Sequence, residues 1–263
     1  MPTLLPPLVV APLSECSKEV RVQNQLTGSV VEVLANGVHV GGGPATWSDQ
    51  VFPLTSPITA GQKITARQTL GPDTSAPTPA ANAVEVQAKP AVIGHVGFSS
   101  PMYVCGECLH MDGLVPGATV DVKLAGNPAG SGTAYDGTAR VHLTAAIPFG
   151  QPVVAQQHAC GAAGLITNSP VPDLYGGKRE GPLPAPAIAT PLYECQTSVT
   201  IYNVLPGATV TVTRSMGAQL VSCFDYSNEH FDGIPPLKLG EVLTATQAFP
   251  KCQRTSPPSA PVK

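Results

Sequence analysis

Two cysteines and a histidine lie close together near the middle of the chain. Cys105 and Cys108 have the C-x-x-C spacing, and His110 follows two residues later. Redox-active dithiols and zinc sites use this spacing, because the thiolate is both the nucleophile and the metal ligand. His158, just before Cys160, would supply a further ligand. The competing interpretation is a structural role, since redox chemistry at C-x-x-C needs a strand-helix-strand context that this sequence lacks.

Other catalytic arrangements find little support in the residue pattern. Asp225, Glu229 and Asp232 fall in one segment, but nothing in their spacing demands the paired carboxylates of glycoside cleavage. No Gly-x-Ser-x-Gly motif occurs, and the run at 41–43 lacks the lysine of a phosphate-binding loop. Six scattered histidines share no position through the repeats described below: His39, His95, His110, His142, His158 and His230. We therefore expect no catalytic residue, no metal and no cofactor.

The elements that hold these residues repeat three times. One pentapeptide pattern recurs as PLSEC at 12–16, PMYVC at 101–105 and PLYEC at 191–195. The segment PGATV follows at 116–120 and 206–210, and TGSVV at 27–31 holds the same place in the first copy. Repeats spaced 89 and 90 residues apart are the size of small domains. The sequence therefore predicts three similar domains, at 1–89, 90–184 and 185–263, called here the first, second and third copies.

Each copy reads as a series of short strands. The third copy alternates apolar and polar residues at 199–201 and 208–213, with Pro206-Gly207 as the turn between them, and a further strand is expected at 236–239. About seven such strands in ~90 residues predict an all-β antiparallel sandwich.

Composition narrows the classes of partner. Charged residues make up 12% of the 263 residues and the formal net charge is −3, which gives no support for binding nucleic acid. No apolar stretch approaches the ~18–20 residues of a membrane-spanning helix, so membrane insertion is not expected.

Strand rhythm and repeat size resemble the immunoglobulin-like and fibronectin type III-like domains that occur in tandem in bacterial surface and secreted proteins. The resemblance implies three tandem Ig-like antiparallel β-sandwich domains. The antibody pattern of two cysteines around a tryptophan is absent, because Trp47 lies in the copy that lacks the second cysteine. Members of such families act mostly as spacers, adhesins or ligand-binding modules, and the resemblance implies the same here.

The cysteine spacing predicts one disulfide within each of two copies. Cys105 and Cys160 are 55 residues apart, and Cys195 and Cys252 are 57 apart. Each such bridge would stabilise its domain by roughly 4 kcal/mol in the chain-entropy description. Cys16 faces Gly71 and is left without a partner, while Cys108 and Cys223 are free or cross-linked to each other or to Cys16. Two bridges imply an oxidising compartment, and hence a secreted or cell-surface protein.

The copies differ most in one loop, which in each case places an aromatic residue near an aspartate. We predict a ligand-binding role for seven residues of these loops: Trp47, Asp49, Tyr135, Asp136, Phe224, Asp225 and Tyr226. Exposed rings beside acids suit a glycan or a protein partner at a surface. The alternative is that the rings pack beneath their own loops.

Three functions therefore stand before the structure is considered. The first is a non-enzymatic extracellular module for binding, adhesion or support. The second is a purely structural spacer, or a self-assembling subunit of a surface or filamentous assembly. The third is an accessory region of a secreted hydrolase.

Overall fold

A computed structural model describes residues 4–98, 101–169 and 181–263. These residues form β-strands joined by turns, with two 3-10 turns at Ala80–Asn82 and Pro250–Cys252. None of their helical segments has the length and apolar character needed to cross a bilayer. The predicted all-β class is confirmed.

The first copy consists of two sheets. Its strands are β1 (Leu8–Val9), β2 (Leu13–Ser14), β3 (Glu19–Gln23), β4 (Val30–Ala35), β5 (Val38–Pro44), β6 (Asp49–Pro53), β7 (Lys63–Leu70), β8 (Asp73–Thr74) and β9 (Val84–Gln87). One sheet has the order β1-β3-β6, and the other has the order β2-β9-β7-β4-β5 with β8 added to β7. Strands β2 and β9 pair in parallel, and the other strand pairs of this copy are antiparallel.

The second and third copies repeat this plan. The second copy contains β10 (Gly97–Phe98), β11 (Cys108–Asp112), β12 (Thr119–Leu124), β13 (Asn127–Thr133), β14 (Ala139–His142), β15 (Val153–Ala159), β16 (Ala162–Ala163) and β17 (Thr167–Asn168). The third contains β18 (Ala187–Ile188), β19 (Val199–Tyr202), β20 (Ala208–Arg214), β21 (Leu220–Phe224), β22 (Glu229–Phe231), β23 (Leu243–Phe249) and β24 (Arg254–Thr255). The small sheets are β10-β11-β14 and β18-β19-β22. The larger ones are β13-β12-β15-β16, with β17 beside β15, and β21-β20-β23-β24.

Side-chain alternation explains why these segments are strands. Along β15 and β23 every second residue is buried and the residues between are half-buried, the pattern of a strand with one face on a core. Each copy has its own apolar cluster, drawn from both of its sheets. One local expectation was wrong, because 236–239 forms no strand. Prolines at 235 and 236 offer no N–H to a ladder, which disfavours a strand there.

A buried glutamine shows how closely the copies match. Gln68, Gln157 and Gln247 lie at the same place in β7, β15 and β23. Their side-chain oxygens accept hydrogen bonds from the backbone N–H groups of Leu26, Val115 and Leu205, at 2.8, 2.9 and 2.7 Å. Each glutamine therefore ties its strand to the turn that precedes β4, β12 or β20.

One buried ion pair braces the end of the third copy. Arg214 donates from Nε and Nη2 to the two carboxylate oxygens of Glu241, at 2.7 and 2.9 Å, and both side chains are almost fully buried. Glu241 also accepts a hydrogen bond from the backbone N–H of Lys238 at 2.9 Å. The hydrogen bonds from Arg214 are the main reason that the pKa of Glu241 falls from 4.5 to about 2. The pair thereby positions the backbone beside Lys238. In this segment the Leu237 carbonyl accepts a hydrogen bond from the Cys195 backbone N–H at 2.9 Å.

A lowered pKa makes the stability from this pair depend on pH. The Glu241 contribution is full above pH ~4.5, the unfolded value, and is lost as the pH falls towards the folded value. We expect Glu241→Gln to destabilise the protein by roughly 3 kcal/mol at pH 7, and the difference to shrink towards zero near pH 2. Urea unfolding of both proteins across this range measures it. The exposed Glu85→Gln is the control, with a change below ~0.5 kcal/mol. A difference that stays constant down to pH 2 would contradict the assignment.

Candidate functional site

The disulfides join different copies and not the two ends of one copy. Cys16 is bonded to Cys160, and Cys105 to Cys252. The predicted pairs Cys105–Cys160 and Cys195–Cys252 are therefore wrong, and so is the expectation that Cys16 lacks a partner. The predicted pairs placed both cysteines in one copy. In the structure, the opening loops of the first and second copies face the closing hairpin of the following copy, and the bonds form there.

A third bridge crosses the junction between the second and third copies. Cys108, at the start of β11, is bonded to Cys223 in β21. This was one of the alternatives that the sequence left open. Among the cysteines of the chain, all of which lie in the described ranges, Cys195 is the free one, and it is exposed.

The C-x-x-C motif is thus neither a redox pair nor a metal site in this structure. Its two cysteines bond to different residues of the third copy, and His110 hydrogen-bonds an aspartate there. Within residues 4–98, 101–169 and 181–263, no group of three or more His, Cys, Asp or Glu side chains is placed to hold a metal ion.

Each junction is closed by a glycine that meets the cysteine loop of the preceding copy. A Cβ on Gly117 would stand 2.4 Å from the Ser17 Cα, and a Cβ on Gly207 would stand 2.9 Å from the Gly106 Cα. Both glycines also have positive φ, 83° and 84°, so a side chain is excluded by conformation and by contact. These glycines belong to the PGATV segments, which therefore form the receiving surface of a junction.

The first junction adds polar contacts from the opening loop and from β3. The Ser14 hydroxyl donates to the Pro116 carbonyl oxygen at 2.7 Å, within the buried interface. Arg21 lies 3.2 Å from the Asp136 carboxylate in the next copy. Burial, followed by the charge and hydrogen bond of Glu19, raises the pKa of Tyr135. The loop around Tyr135 therefore packs towards the first copy.

The second junction is built around one buried carboxylate. Arg140 donates from Nη2 to Asp225 Oδ1 at 2.6 Å and from Nε to Oδ2 at 3.0 Å, while His110 Nδ1 lies 2.9 Å from Oδ2. The Asp225 side chain has no exposed surface. Burial alone would raise the pKa of Asp225, but the hydrogen bond from His110 and the charge of Arg140 outweigh burial and lower it. The carboxylate is therefore charged and fully engaged across the junction.

Two further contacts strengthen the second junction. Glu229 also pairs with Arg140, and burial and the nearby Asp225 charge raise the pKa of Glu229 despite that arginine. On the other side of the interface, the Lys251 backbone N–H donates to Glu107 Oε1 at 2.9 Å, and Lys251 Nζ donates to the Leu143 carbonyl at 2.9 Å. Contacts on both sides of the bridges oppose rotation of one copy against the next.

The three predicted ligand-binding acids are paired with basic residues. Asp49 accepts from Arg21 at 2.8 and 2.7 Å and from Gln23 at 2.8 Å. Asp136 and Asp225 pair with Arg21 and Arg140 across the junctions. The acids thus neutralise cations within the molecule.

The four predicted aromatic residues lie in different environments. Phe224 is buried and packs against Phe231, with ring centroids 5.1 Å apart. The Tyr226 ring lies 4.8 Å from that of His110 in the preceding copy. Tyr135 is half-buried at the first junction, and Trp47 is 59% exposed. Trp47 is therefore the ring with most of its surface available to a ligand.

The sequence-based prediction assigned none of five residues to a junction: Arg21, His110, Arg140, Gly117 and Gly207. One signal was present: PGATV occurs in the two copies whose glycine meets the cysteine loop of another copy, whereas the first copy has TGSVV. A Cβ on Gly28 of that segment would meet nothing closer than Leu70 at 4.0 Å, since no other part of the described chain packs there. In the first copy, Gly71 stands at the position of the second cysteine.

Comparison with protein-family models and with curated proteins finds no match. Among solved structures, the chain is similar to the BSP domain of a biofilm associated protein, with 14% identity and a TM-score of 0.27, over 98% of this chain and 66% of that one. Sidekick-1 immunoglobulin domains 1–4 are 12% identical with a TM-score of 0.27, over 98% of this chain and 73% of that one. The central fibronectin-III array of RIM-binding protein is 14% identical with a TM-score of 0.25, over 99% of this chain and 97% of that one.

The chain spans just under two thirds of the first of these structures. The other two are tandem immunoglobulin and fibronectin type III arrays, the classes that the sequence resembles. At these TM-scores the likenesses carry no argument about function, which rests instead on the junctions themselves.

The bridge pattern predicts the result of peptide mapping. The oxidised protein is first alkylated, and it is then digested at low pH, where thiolates are scarce and disulfide exchange is slow. The digest should yield three linked peptides: Cys16/Cys160, Cys105/Cys252 and Cys108/Cys223. Alkylation should label Cys195 alone, one group per chain. Peptides linking Cys105 to Cys160, or Cys195 to Cys252, would contradict the arrangement.

Proposed function

We propose that the chain is a non-enzymatic extracellular stalk made of three immunoglobulin-like domains, at 1–89, 90–184 and 185–263. Tandem domains of this kind are typical of adhesion and stalk modules. The observation that carries the proposal is that each disulfide of the described chain joins two copies. Such bridges fix the orientation of one domain on the next, which is what a stalk requires.

Three disulfides also support a location outside the cytoplasm. Bridges of this kind persist in oxidising compartments and are rare where glutathione keeps thiols reduced. We therefore propose that the protein is secreted or displayed at the cell surface, where its partner is a protein or a glycan.

Stiffness is the physical property that the junctions provide. Neighbouring domains in one chain normally move relative to each other, because their interfaces are small and polar. Here the first junction combines a disulfide, a buried hydroxyl–carbonyl bond and the Arg21–Asp136 pair. The second combines two disulfides with the Asp225 cluster. Bending at either junction would break several of these contacts together.

The bridges also shorten the covalent path that carries tension. From the N-terminus this path runs to Cys16, crosses to Cys160, returns along the chain to Cys105 and crosses to Cys252. It contains about 80 residues, which extend to ~280 Å at ~3.5 Å per residue, against ~920 Å for all 263. A pulled chain can therefore unfold without lengthening far.

Single-molecule force spectroscopy measures this restriction. Pulled from its two termini, the oxidised protein should reach ~280 Å, and the same molecule in reductant should reach ~920 Å. Cys195→Ser removes the free thiol and keeps the three bridges, so it should extend no further than the oxidised parent. An oxidised protein that extends as far as the reduced one would show that the junctions do not bear load.

One loop supports a second candidate function, the binding of a sugar ring. The Trp47 loop is held in place: Gln50 Oε1 accepts from the Thr46 N–H at 2.8 Å, and Gln25 Nε2 donates to the Trp47 carbonyl at 2.8 Å. One edge of the indole lies against Gly233 of the third copy, and most of the ring is exposed. A flat, pre-positioned ring suits the apolar face of a sugar.

Glycan-array binding tests this second function. Trp47→Ala should weaken the strongest signal at least about tenfold, because the ring supplies most of the contact area. Val38→Ala is a matched control, since Val38 is an exposed apolar residue on the neighbouring strand β5. Binding that survives Trp47→Ala, or that falls equally in the control, would exclude the indole as the binding surface.

A further inference from the structure

We infer that the end of the third copy around Cys195 is a docking surface for a further β-sandwich of this same repeat, joined as the third copy is joined to the second. Cys195 then forms a disulfide with a cysteine of the closing hairpin of that sandwich. This inference extends the proposed stalk beyond the three copies, and it rests on a comparison of three equivalent loops.

The first step is the equivalence of the cysteines. Cys16, Cys105 and Cys195 end the same pentapeptide pattern in the three copies. Cys16 is bonded to the closing hairpin of the second copy, through Cys160, and Cys105 to that of the third copy, through Cys252. Two of the three equivalent positions thus make the same bond to the following copy, and Cys195 is the one that remains free.

The second step is the exposure of the surrounding loop. Ser14, Cys16 and Ser17 are buried in the first junction, and Val104, Cys105 and Gly106 are buried in the second. Val104 and Cys105 lie within the apolar cluster of the third copy, and the half-buried Tyr103 packs against it.

The equivalent loop of the third copy is uncovered. Glu194 and Cys195 are exposed, and Tyr193, at the position of Tyr103, is 67% exposed. A loop that is interior at two junctions is therefore surface at this end.

The third step is that the Cys195 loop already has the conformation of a docked loop. The Cys195 N–H donates to the Leu237 carbonyl at 2.9 Å, and the Leu237 N–H donates to the carbonyl of Gln196, the residue after the cysteine, at 3.0 Å. The Cys105 loop makes the same two bonds with Ile147, at 2.9 and 3.1 Å. Both cysteines have positive φ, 64° and 76°. Docking therefore requires no change in these two backbone hydrogen bonds, which limits its entropic cost.

The occupant must bring a free cysteine in its closing hairpin, and a second molecule of this chain has none at that position. The first copy has Gly71 at the corresponding hairpin position, and Cys160 and Cys252 are already bonded. The occupant is therefore a further sandwich with a cysteine after its strand equivalent to β15 or β23, and with a glycine at the position of Gly117 or Gly207.

The bond forms by thiol–disulfide exchange with a small disulfide such as oxidised glutathione. The Cys195 thiolate attacks one glutathione sulfur, which forms a mixed disulfide and releases one glutathione thiolate. The thiolate of the docked cysteine then attacks the Cys195 sulfur and displaces the second glutathione. Two protein thiols are oxidised and one glutathione disulfide is reduced to two thiols.

An extended chain tests the inference. Residues 176–263 are appended after Lys263. The sequence separation between Val262 and the added Ile188 then equals the separation between Val84 and Phe98 across the first junction. In the appended segment, Cys195→Ser and Cys223→Ser leave its Cys252 as the one new thiol. The chain is equilibrated in glutathione buffers and mapped without reduction. We expect a bridge from Cys195 to the appended Cys252, in a monomer, that forms at the same glutathione ratio as Cys105–Cys252.

Two glycine variants separate docking from chance contact between tethered thiols. In the appended segment, Gly207→Leu puts a side chain where the junction has no room, and should weaken bridge formation at least about tenfold. Gly240→Leu is equally strained, with φ of 76° and nothing within 4 Å of an added Cβ, so it should bridge normally.

Three outcomes would overturn the inference. They are a Cys195 thiol that stays alkylatable, a Cys195–Cys195 bridge between two chains, and equal bridging in the two glycine variants. None of them alters the force measurement, which is made on the unextended chain, so this proposal and the stalk function fail separately.

Discussion

The disulfide from the opening loop of one copy to the closing hairpin of the next sets the geometry of the two junctions between copies. The Cα–Cα distances are 5.0 Å for Cys16–Cys160 and 5.9 Å for Cys105–Cys252, so the backbones of the two copies lie close together at each bridge. At that distance the backbone of the following copy must pass against the loop itself. Gly117 and Gly207 satisfy this requirement because they carry no Cβ.

Close approach has an electrostatic consequence. Residues on the facing strands lose water when the copies meet, and a charge buried there is costly unless it is paired. Arg21 and Asp136 pair at the first junction, while Arg140, His110 and Asp225 do so at the second. The basic residue lies on a strand of one copy and the acid in the aromatic loop of the next. The acids of these loops thus have an intramolecular role.

This use of the loops changes which residues remain for recognition. Tyr226 packs on His110, Phe224 lies in a core, and Asp49 is held by Arg21 and Gln23. Trp47 keeps an exposed ring in a loop fixed by hydrogen bonds, and Cys195 keeps an exposed thiol in a loop shaped like the bonded ones. We propose the first as a ligand contact and the second as the attachment point of a further copy of the repeat.

The sequence alone was sufficient for the repeat and the class of fold. Alternating residues in β20 and β23 specify strands with one buried face, and the recurrence of Cys16, Cys105 and Cys195 specifies equivalent loops, because both are properties of local chain order. The cysteine partners were a different matter. Cys105 lies at an acceptable sequence distance from both Cys160 and Cys252, and loop-closure entropy changes too slowly with length to choose between them. Only the docking of one sandwich on the next decided that choice, since a disulfide forms where two Cα atoms meet in space.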